Sequence, residues 1–82
     1  MNKFKKTLGQ IIDYDSLANY LIPYIKEGDV FVDLGCGYCD LINALLSKKR
    51  STCIGVDIDK NKIITNRNRG FNVIQGDIRE RV

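Results

Sequence analysis

The chain has no histidine and only three cysteines, and this scarcity limits the chemistry that it can carry. Three thiols make a poor disulfide framework, because one of them is always left without a partner. Cys36 and Cys39 form a C-x-x-C pair, which occurs at redox sites and in half of a zinc site, but no second pair or histidine completes a metal site. We therefore expect no metal, a reducing cytoplasmic location, and a Cys53 that packs as a small apolar residue.

The chain also lacks long apolar runs. None approaches the ~18–20 residues needed to span a bilayer, and no long apolar stretch follows the basic start, as a secretory signal would require. With 82 residues the chain is at most one domain, 1–82, in which 1–13 carry few signals and are expected to be flexible. A chain of this size buries only about 60–65% of its unfolded surface, so its stability should be marginal.

The net charge is +3, and the basic residues form small clusters. These clusters are Lys3/Lys5/Lys6, Lys48/Lys49/Arg50, Lys60/Lys62/Arg67/Arg69 and Arg79/Arg81. A basic chain can bind nucleic acid through phosphate contacts. Because no aromatic residues interleave with the clusters, we favour a solvated surface, and RNA binding stays the alternative.

Apolar periodicity predicts an α/β chain in which helices and strands alternate. The predicted helices cover about 15–25, 40–47 and 59–69, and the predicted strands cover 30–34, 52–57 and 71–75. Because right-handed crossovers would connect them, the strands should be parallel. Four of the five residues in 30–34 are apolar without alternation, which predicts a strand covered on both faces.

Polar residues and breakers set the expected helix ends. The expected N-caps are Asp15 or Ser16, then Asp40, then Asp59. Pro23 should kink or end the first helix, because its ring clashes with the preceding turn. Gly70 should stop the third helix.

An aspartate stands at the end of each predicted strand. Asp33 belongs to Asp33-Leu34-Gly35-Cys36-Gly37, Asp57 follows Cys53-Ile54-Gly55-Val56, and Asp77 follows Val73-Ile74-Gln75-Gly76. Because the carboxyl ends of parallel strands meet at one edge of a sheet, the three acids should line that edge. Open α/β sheets bind nucleotides there.

The glycine turn suggests the kind of ligand. Gly35 and Gly37 let the backbone turn sharply and approach a ligand, and the next helix directs its free N–H groups there. Asp57 lies 22 residues after Gly35, a spacing that suits hydrogen bonds to ribose hydroxyls. Position 40 is Asp where a dinucleotide fingerprint has Gly, so its charge would oppose a pyrophosphate. An adenosine ligand without phosphates fits better, and an NAD or nucleotide binder remains an alternative.

These segments resemble class I S-adenosylmethionine-dependent methyltransferases. The stretch 33–37 is similar to their first motif, Gly55-Val56-Asp57-Ile58-Asp59 to the segment after it, and 73–78 to their second motif. The resemblance covers about 15–80. Within that family, the stretch 71–77 after a glycine-ended helix is most similar to MetW-like methionine-biosynthesis proteins.

The resemblance implies S-adenosyl-L-methionine as cofactor and assigns roles to single residues. Gly35, Cys36 and Gly37 would shape the turn under the methionine part, and Asp33 would help hold its amino group. Asp57 would bind the ribose hydroxyls, with Ile58 packed on the adenine. Asp77 would meet the adenine amino group, with Ile78 beside the ring. The family often has a third glycine where this chain has Cys39, whose side chain should crowd the cofactor's carboxylate end.

The resemblance also implies a truncated, Rossmann-like class I methyltransferase fold with strand order 3-2-1. The family sheet has further strands after the third, and its catalytic and acceptor-binding residues lie largely there, so the acceptor and the catalytic residues stay unknown. The predicted strand 30–34 should therefore form an edge of the sheet, with its outer backbone N–H and C=O groups unpaired. We expect pairing with a protein partner or a second copy through that edge. A non-catalytic truncated fragment, or a partner-dependent subunit, is the alternative to an enzyme.

Overall fold

The computed structural model describes residues 13–77 and 79. The helices are α1 (Tyr14–Leu21), α2 (Asp40–Lys48) and α3 (Lys60–Asn68), and a 3₁₀ helix spans Ile22–Tyr24. The strands are β1 (Val30–Leu34), β2 (Thr52–Asp57) and β3 (Val73–Gln75). They form a parallel sheet in the order β1-β2-β3, which confirms the predicted fold class and strand order. The flexibility expected for 1–13 falls almost wholly outside the described residues.

Helix α1 begins earlier than predicted. Its N-cap is Asp13, whose carboxylate accepts a hydrogen bond from the Ser16 N–H at 2.7 Å, so the assignment of the cap to Asp15 or Ser16 was wrong. Asp15 instead pairs with Lys48 of α2 at 2.7 Å. The α-helix ends at Leu21, and Pro23 lies in the 3₁₀ helix that follows, as its missing N–H leads one to expect.

At the ends of the other two helices, residue type predicted some of the observed caps and not others. Asp59 caps α3 as predicted, by accepting hydrogen bonds from two backbone N–H groups, and Gly70 follows α3 with a φ of 91°. Asp40 does not cap α2, because it is the first helical residue and Cys39 holds the cap position. Strand β3 starts at Val73, two residues later than predicted, since the Phe71 N–H donates to the Asn66 carbonyl at the end of α3.

The core lies between the helices and one face of the sheet. Its buried side chains are those of Ala18, Ile25, Cys36, Cys39, Ile42, Leu45, Cys53, Ile63 and Val73. Cys53 therefore packs as a small apolar residue, as predicted. Gly55 of β2 lies so close to α2 and its preceding turn that an added Cβ would stand 2.7 Å from the Cys36 Sγ.

The opposite face of the sheet is open within the described residues. Val30, Val32 and Leu34 of β1 are 54%, 49% and 61% exposed, and Ile74 of β3 is 55% exposed. The prediction that β1 is covered on both faces was therefore wrong. Burial alternates along the strands because the helices pack on one side only.

Candidate functional site

The carboxyl ends of the strands border a cavity of about 270 Å³. Its lining residues are Gly35, Asp57, Ile58, Gly76, Asp77 and Arg79. Four of the predicted site residues thus meet at one cavity, and Cys36 and Gly37 continue the turn beside Gly35. Ile78, also predicted to lie here, is outside the described residues.

The turn between β1 and α2 has the backbone shape that glycine allows. Gly35 and Gly37 have φ values of 81° and 56°, in the left-handed region that side chains disfavour. The N–H groups of Gly35 and Cys36 both donate to the Val56 carbonyl, at 2.7 and 2.9 Å. Among the described residues, no heavy atom beyond the adjacent residues lies within 4 Å of an ideal Cβ at either glycine, so the turn presents an open backbone surface.

Asp57 connects the end of β2 to this turn. Its Oδ2 accepts a hydrogen bond from the Gly37 N–H at 2.8 Å, and its Oδ1 accepts one from the Asp59 N–H at 2.9 Å. The N–H of Asp59 contributes most to lowering the pKa of Asp57, and that of Gly37 adds to it. The carboxylate is therefore ionised and oriented, and its remaining lone pairs can accept hydrogen bonds from two hydroxyl groups.

Within the described residues, the Asp33 carboxylate lacks hydrogen bonds like those that stabilise the ionised Asp57. Burial raises the pKa of the Asp33 carboxyl above its ordinary value, and the negative charge of Asp57 raises it further. No hydrogen bond or ion pair to the Asp33 carboxylate is found among residues 13–77. A cationic ligand group placed here would relieve the repulsion between the two carboxylates.

Asp77 already has a partner at the opposite side of the cavity. The Arg79 guanidinium donates to both carboxylate oxygens, with an Nη2–Oδ2 distance of 2.7 Å and an Nε–Oδ1 distance of 2.9 Å. These bonds lower the pKa of Asp77. Because the Arg79 side chain is 80% exposed, the pair is weakly held and a ligand amino group can compete for Asp77.

Two residues at this site were missed from the sequence. Asn66 and Arg69, on and just after α3, donate side-chain hydrogen bonds to the carbonyls of Gly37 and Tyr38. Asparagine is a poor helix former, and Asn66 is nevertheless fully buried in a helix. The sequence shows only that a poor helix former stands inside a predicted helix, whereas the burial of Asn66 and its contact with the turn are seen only in the structure.

The C-x-x-C pair lies under the turn, away from its open surface. Cys36 is 7% exposed and Cys39 is fully buried. The expectation that the Cys39 side chain crowds a ligand was therefore wrong. Burial raises the pKa of Cys36 to about 12 and also raises that of Cys39, so both thiols are protonated and weakly nucleophilic. Within the described ranges, no group of three His, Cys, Asp or Glu side chains lies together as a metal site would require.

A larger depression, of about 650 Å³, lies at the amino ends of β1 and β2. It is lined by Lys26, Glu27, Gly28, Asp29, Lys49, Arg50, Ser51 and Thr52, and contains none of the candidate residues. Size alone therefore does not identify the site, since Gly35, Asp57 and Asp77 from the three strand ends line the smaller cavity. In the part of the chain that the structure describes, no helix is both long and apolar enough to cross a membrane.

Comparison with known proteins agrees with this architecture. A family model described as methionine biosynthesis protein MetW matches residues 14–82. The crystal structure of a SAM dependent methyltransferase from Archaeoglobus fulgidus matches with a TM-score of 0.60 and 25% identity, over 93% of this chain and 35% of that chain. The chain thus spans about a third of that methyltransferase. No curated protein matches this chain. The chain belongs to the MetW family and has a methyltransferase-like α/β fold.

Proposed function

We propose that this chain binds S-adenosyl-L-methionine and forms the cofactor-binding part of a class I methyltransferase. The observation that carries the proposal is the hydrogen bond from the Gly37 N–H to the Asp57 carboxylate. It joins the glycine turn to the end of β2, and Gly35 of that turn lines the same cavity as Asp57. The family match and the structural similarity support it.

The adenosine half would occupy the cavity between β2 and β3. The free lone pairs of Asp57 would accept hydrogen bonds from the ribose hydroxyls. Ile58, which is 58% exposed, would pack on the adenine, and Ile78 is proposed to lie beside the ring. Asp77 would accept a hydrogen bond from the adenine amino group once Arg79 moves aside.

The methionine half would extend over the glycine turn. Its ammonium group would neutralise Asp33, whose pKa is raised by burial and by the negative charge of Asp57. Its carboxylate would face the first turn of α2. Cys39 makes no side-chain capping bond there, and the N–H groups of that turn would have to offset the negative charge of Asp40 in the same turn.

The bound cofactor would supply a methyl group on a sulfonium ion for in-line transfer to a nucleophile. The residues described above bind and orient the cofactor, and positioning of this kind supplies much of the rate in such transfers. The methyl acceptor and any catalytic residue are not assigned. The 82-residue chain is therefore proposed as a binding unit of the complete enzyme.

Titration with S-adenosylhomocysteine, followed in the amide NMR spectrum, tests this function. We expect shifts at Gly35, Gly37 and the residues around Asp57. The Asp57→Asn variant should bind roughly tenfold more weakly, the scale of one hydrogen bond to a charged group. Asp15→Asn, which removes an acid far from the cavity, should bind as the parent does. Absence of shifts, or equal displacement by NAD, would contradict the proposal.

A second proposal concerns the open edge of the sheet, and we propose that β1 pairs there with β1 of a second copy. The Gly35 N–H points to β2, and because backbone groups alternate along a strand, the N–H groups of Val32 and Leu34 point away from it. The β1 edge offers five residues, whereas β3 at the other edge has three. Exposed edges of this kind favour strand pairing.

Sedimentation of two proline variants tests the pairing. Val32→Pro removes an outward N–H from β1 without removing a bond to β2, and should shift the chain towards monomer. Gln75→Pro makes the matching change at the β3 edge and should leave the association unchanged. A monomeric parent chain, with β1 amides strongly protected from hydrogen exchange, would contradict this proposal.

A further inference from the structure

The glycine turn is held by side chains from outside its own strand–helix unit. We propose that Asn66 and Arg69 are positioning residues, which hold the turn in the shape that receives the amino-acid half of the cofactor. This inference rests on the proposed function. It assigns α3 a role in ligand binding although neither residue lines the cavity.

Asn66 and Asp57 hold the two polar groups of Gly37. The Asn66 Nδ2 donates to the Gly37 carbonyl at 2.7 Å, and the Gly37 N–H donates to the Asp57 Oδ2 at 2.8 Å. The two contacts come from α3 and from the end of β2. Gly37 is therefore restrained from two different elements, so it cannot turn without breaking one of the bonds.

The burial of Asn66 is unfavourable by itself. Its side chain is fully buried, and within the described residues its Oδ1 has no hydrogen-bond partner. A buried amide with an unpaired oxygen opposes folding, and an apolar side chain of similar size would fill the same space. Packing therefore does not require an asparagine at this position, whereas the hydrogen bond to the Gly37 carbonyl does.

Arg69 acts on the next residue of the turn. Its Nη1 donates to the Tyr38 carbonyl at 2.8 Å, and its guanidinium lies 4.9 Å from the centre of the Phe71 ring. Arg69 is the C-cap residue of α3, three positions after Asn66, so the two side chains project on the same side. One side of this helix consequently holds two successive carbonyls of the turn.

The restraint matters because glycine is the most flexible residue. Gly37 has a left-handed φ, and within the described residues an added Cβ would meet open space, so its conformation depends on the two hydrogen bonds and not on packing at that position. A ligand that had to order this backbone would bind more weakly. Holding the turn before the ligand arrives removes that cost for the half of the cofactor that contacts it.

Two ligands separate this role from a purely structural one. S-adenosylhomocysteine contains the amino-acid half, whereas adenosine lacks it. The Asn66→Leu variant should lose about tenfold in affinity for S-adenosylhomocysteine, the scale of one hydrogen bond, and retain its affinity for adenosine. In the ligand-free chain its Gly37 amide should also exchange hydrogen faster. Asn68→Leu, the same change on an exposed position of α3, should alter neither measurement.

Arginine variants give a second matched pair. Arg69→Met should weaken binding of S-adenosylhomocysteine severalfold. Arg67→Met removes a similar bond, from Arg67 Nη2 to the Val73 carbonyl at 3.1 Å, which lies away from the turn, and should leave binding unchanged.

Three outcomes would overturn the inference. One is unchanged affinity and unchanged Gly37 exchange in Asn66→Leu. Another is an equal loss of both ligands that follows the melting temperature, which would show that Asn66 serves the fold. The third is a parent chain that binds no S-adenosylhomocysteine, which would also contradict the proposed function, whereas the first two leave that function standing.

Discussion

On one face of the sheet the side chains of Cys53 and Val73 are buried under helices, while on the other those of Val32 and Ile74 remain about half exposed. The same strands carry both sets, since successive side chains point to opposite faces. The helix-covered face contains the core, and the turn that borders the cavity rests on it. Within the described residues, the core and the turn beside the proposed binding site thus lie on the same face of the sheet.

Truncation of a core leucine should give the largest difference in stability loss between the helix-covered face and the open face of the sheet. Leu45→Ala removes a fully buried side chain between α2 and the sheet and should cost about 2–5 kcal/mol of unfolding free energy. Val32→Ala, on the open face, should cost about 0.5 kcal/mol or less in the monomer. Urea unfolding of both variants measures the contrast. Equal losses would mean that the open face is covered in solution.

An added methyl group at Gly55 should have the next largest effect. A Cβ there would lie 2.7 Å from Cys36 Sγ and 3.2 Å from Ile42 Cδ1, so Gly55→Ala should cost about 1–3 kcal/mol through overpacking. At Gly76 the nearest atom, Val56 Cγ1, is 3.6 Å away, so Gly76→Ala should be tolerated. Thermal melting of the pair is the measurement. A neutral Gly55→Ala would show that β2 and the turn are packed less closely.

Removal of the negative charge of Asp33 should have the smallest effect on stability. Unlike the two changes above, it should leave stability equal or raise it. Its pKa is raised in the fold above the ordinary 3.8, so ionisation of Asp33 opposes folding. Its contribution to stability is complete below pH 3.8 and is lost as the pH rises through the folded-state pKa. Asp33→Asn should therefore melt at or above the temperature of the parent at pH 7.

The same variant should bind S-adenosylhomocysteine more weakly, because the ligand ammonium loses its carboxylate partner. In the parent, affinity should fall as the pH is lowered through the raised pKa of Asp33, and in Asp33→Asn this fall should be absent. Asp15→Asn controls for the loss of one negative charge. Lower stability together with unchanged binding would mean that Asp33 is a structural residue.

The parts predicted correctly depend on near neighbours in the chain. Asp59 caps α3 through residues two and three positions away, and Gly70 ends it by its own conformational freedom. The failed cap assignments have a local cause as well. Asp13 precedes the apolar periodicity from which the start of α1 was predicted, and Cys39 holds the cap position through a left-handed backbone that its residue type does not signal.

The sequence by itself determined the order and type of the strands and helices, the glycine turn, and the acids at the strand ends, because hydrophobic periodicity and turn chemistry act over a few residues. Only the tertiary structure decided which face of β1 is covered, that Cys39 is buried, and that Asn66 and Arg69 reach the turn across 29 and 31 positions of the chain. Such contacts depend on how α3 packs against the sheet. No local pattern specifies them, because the residues that meet are brought together only when the fold forms.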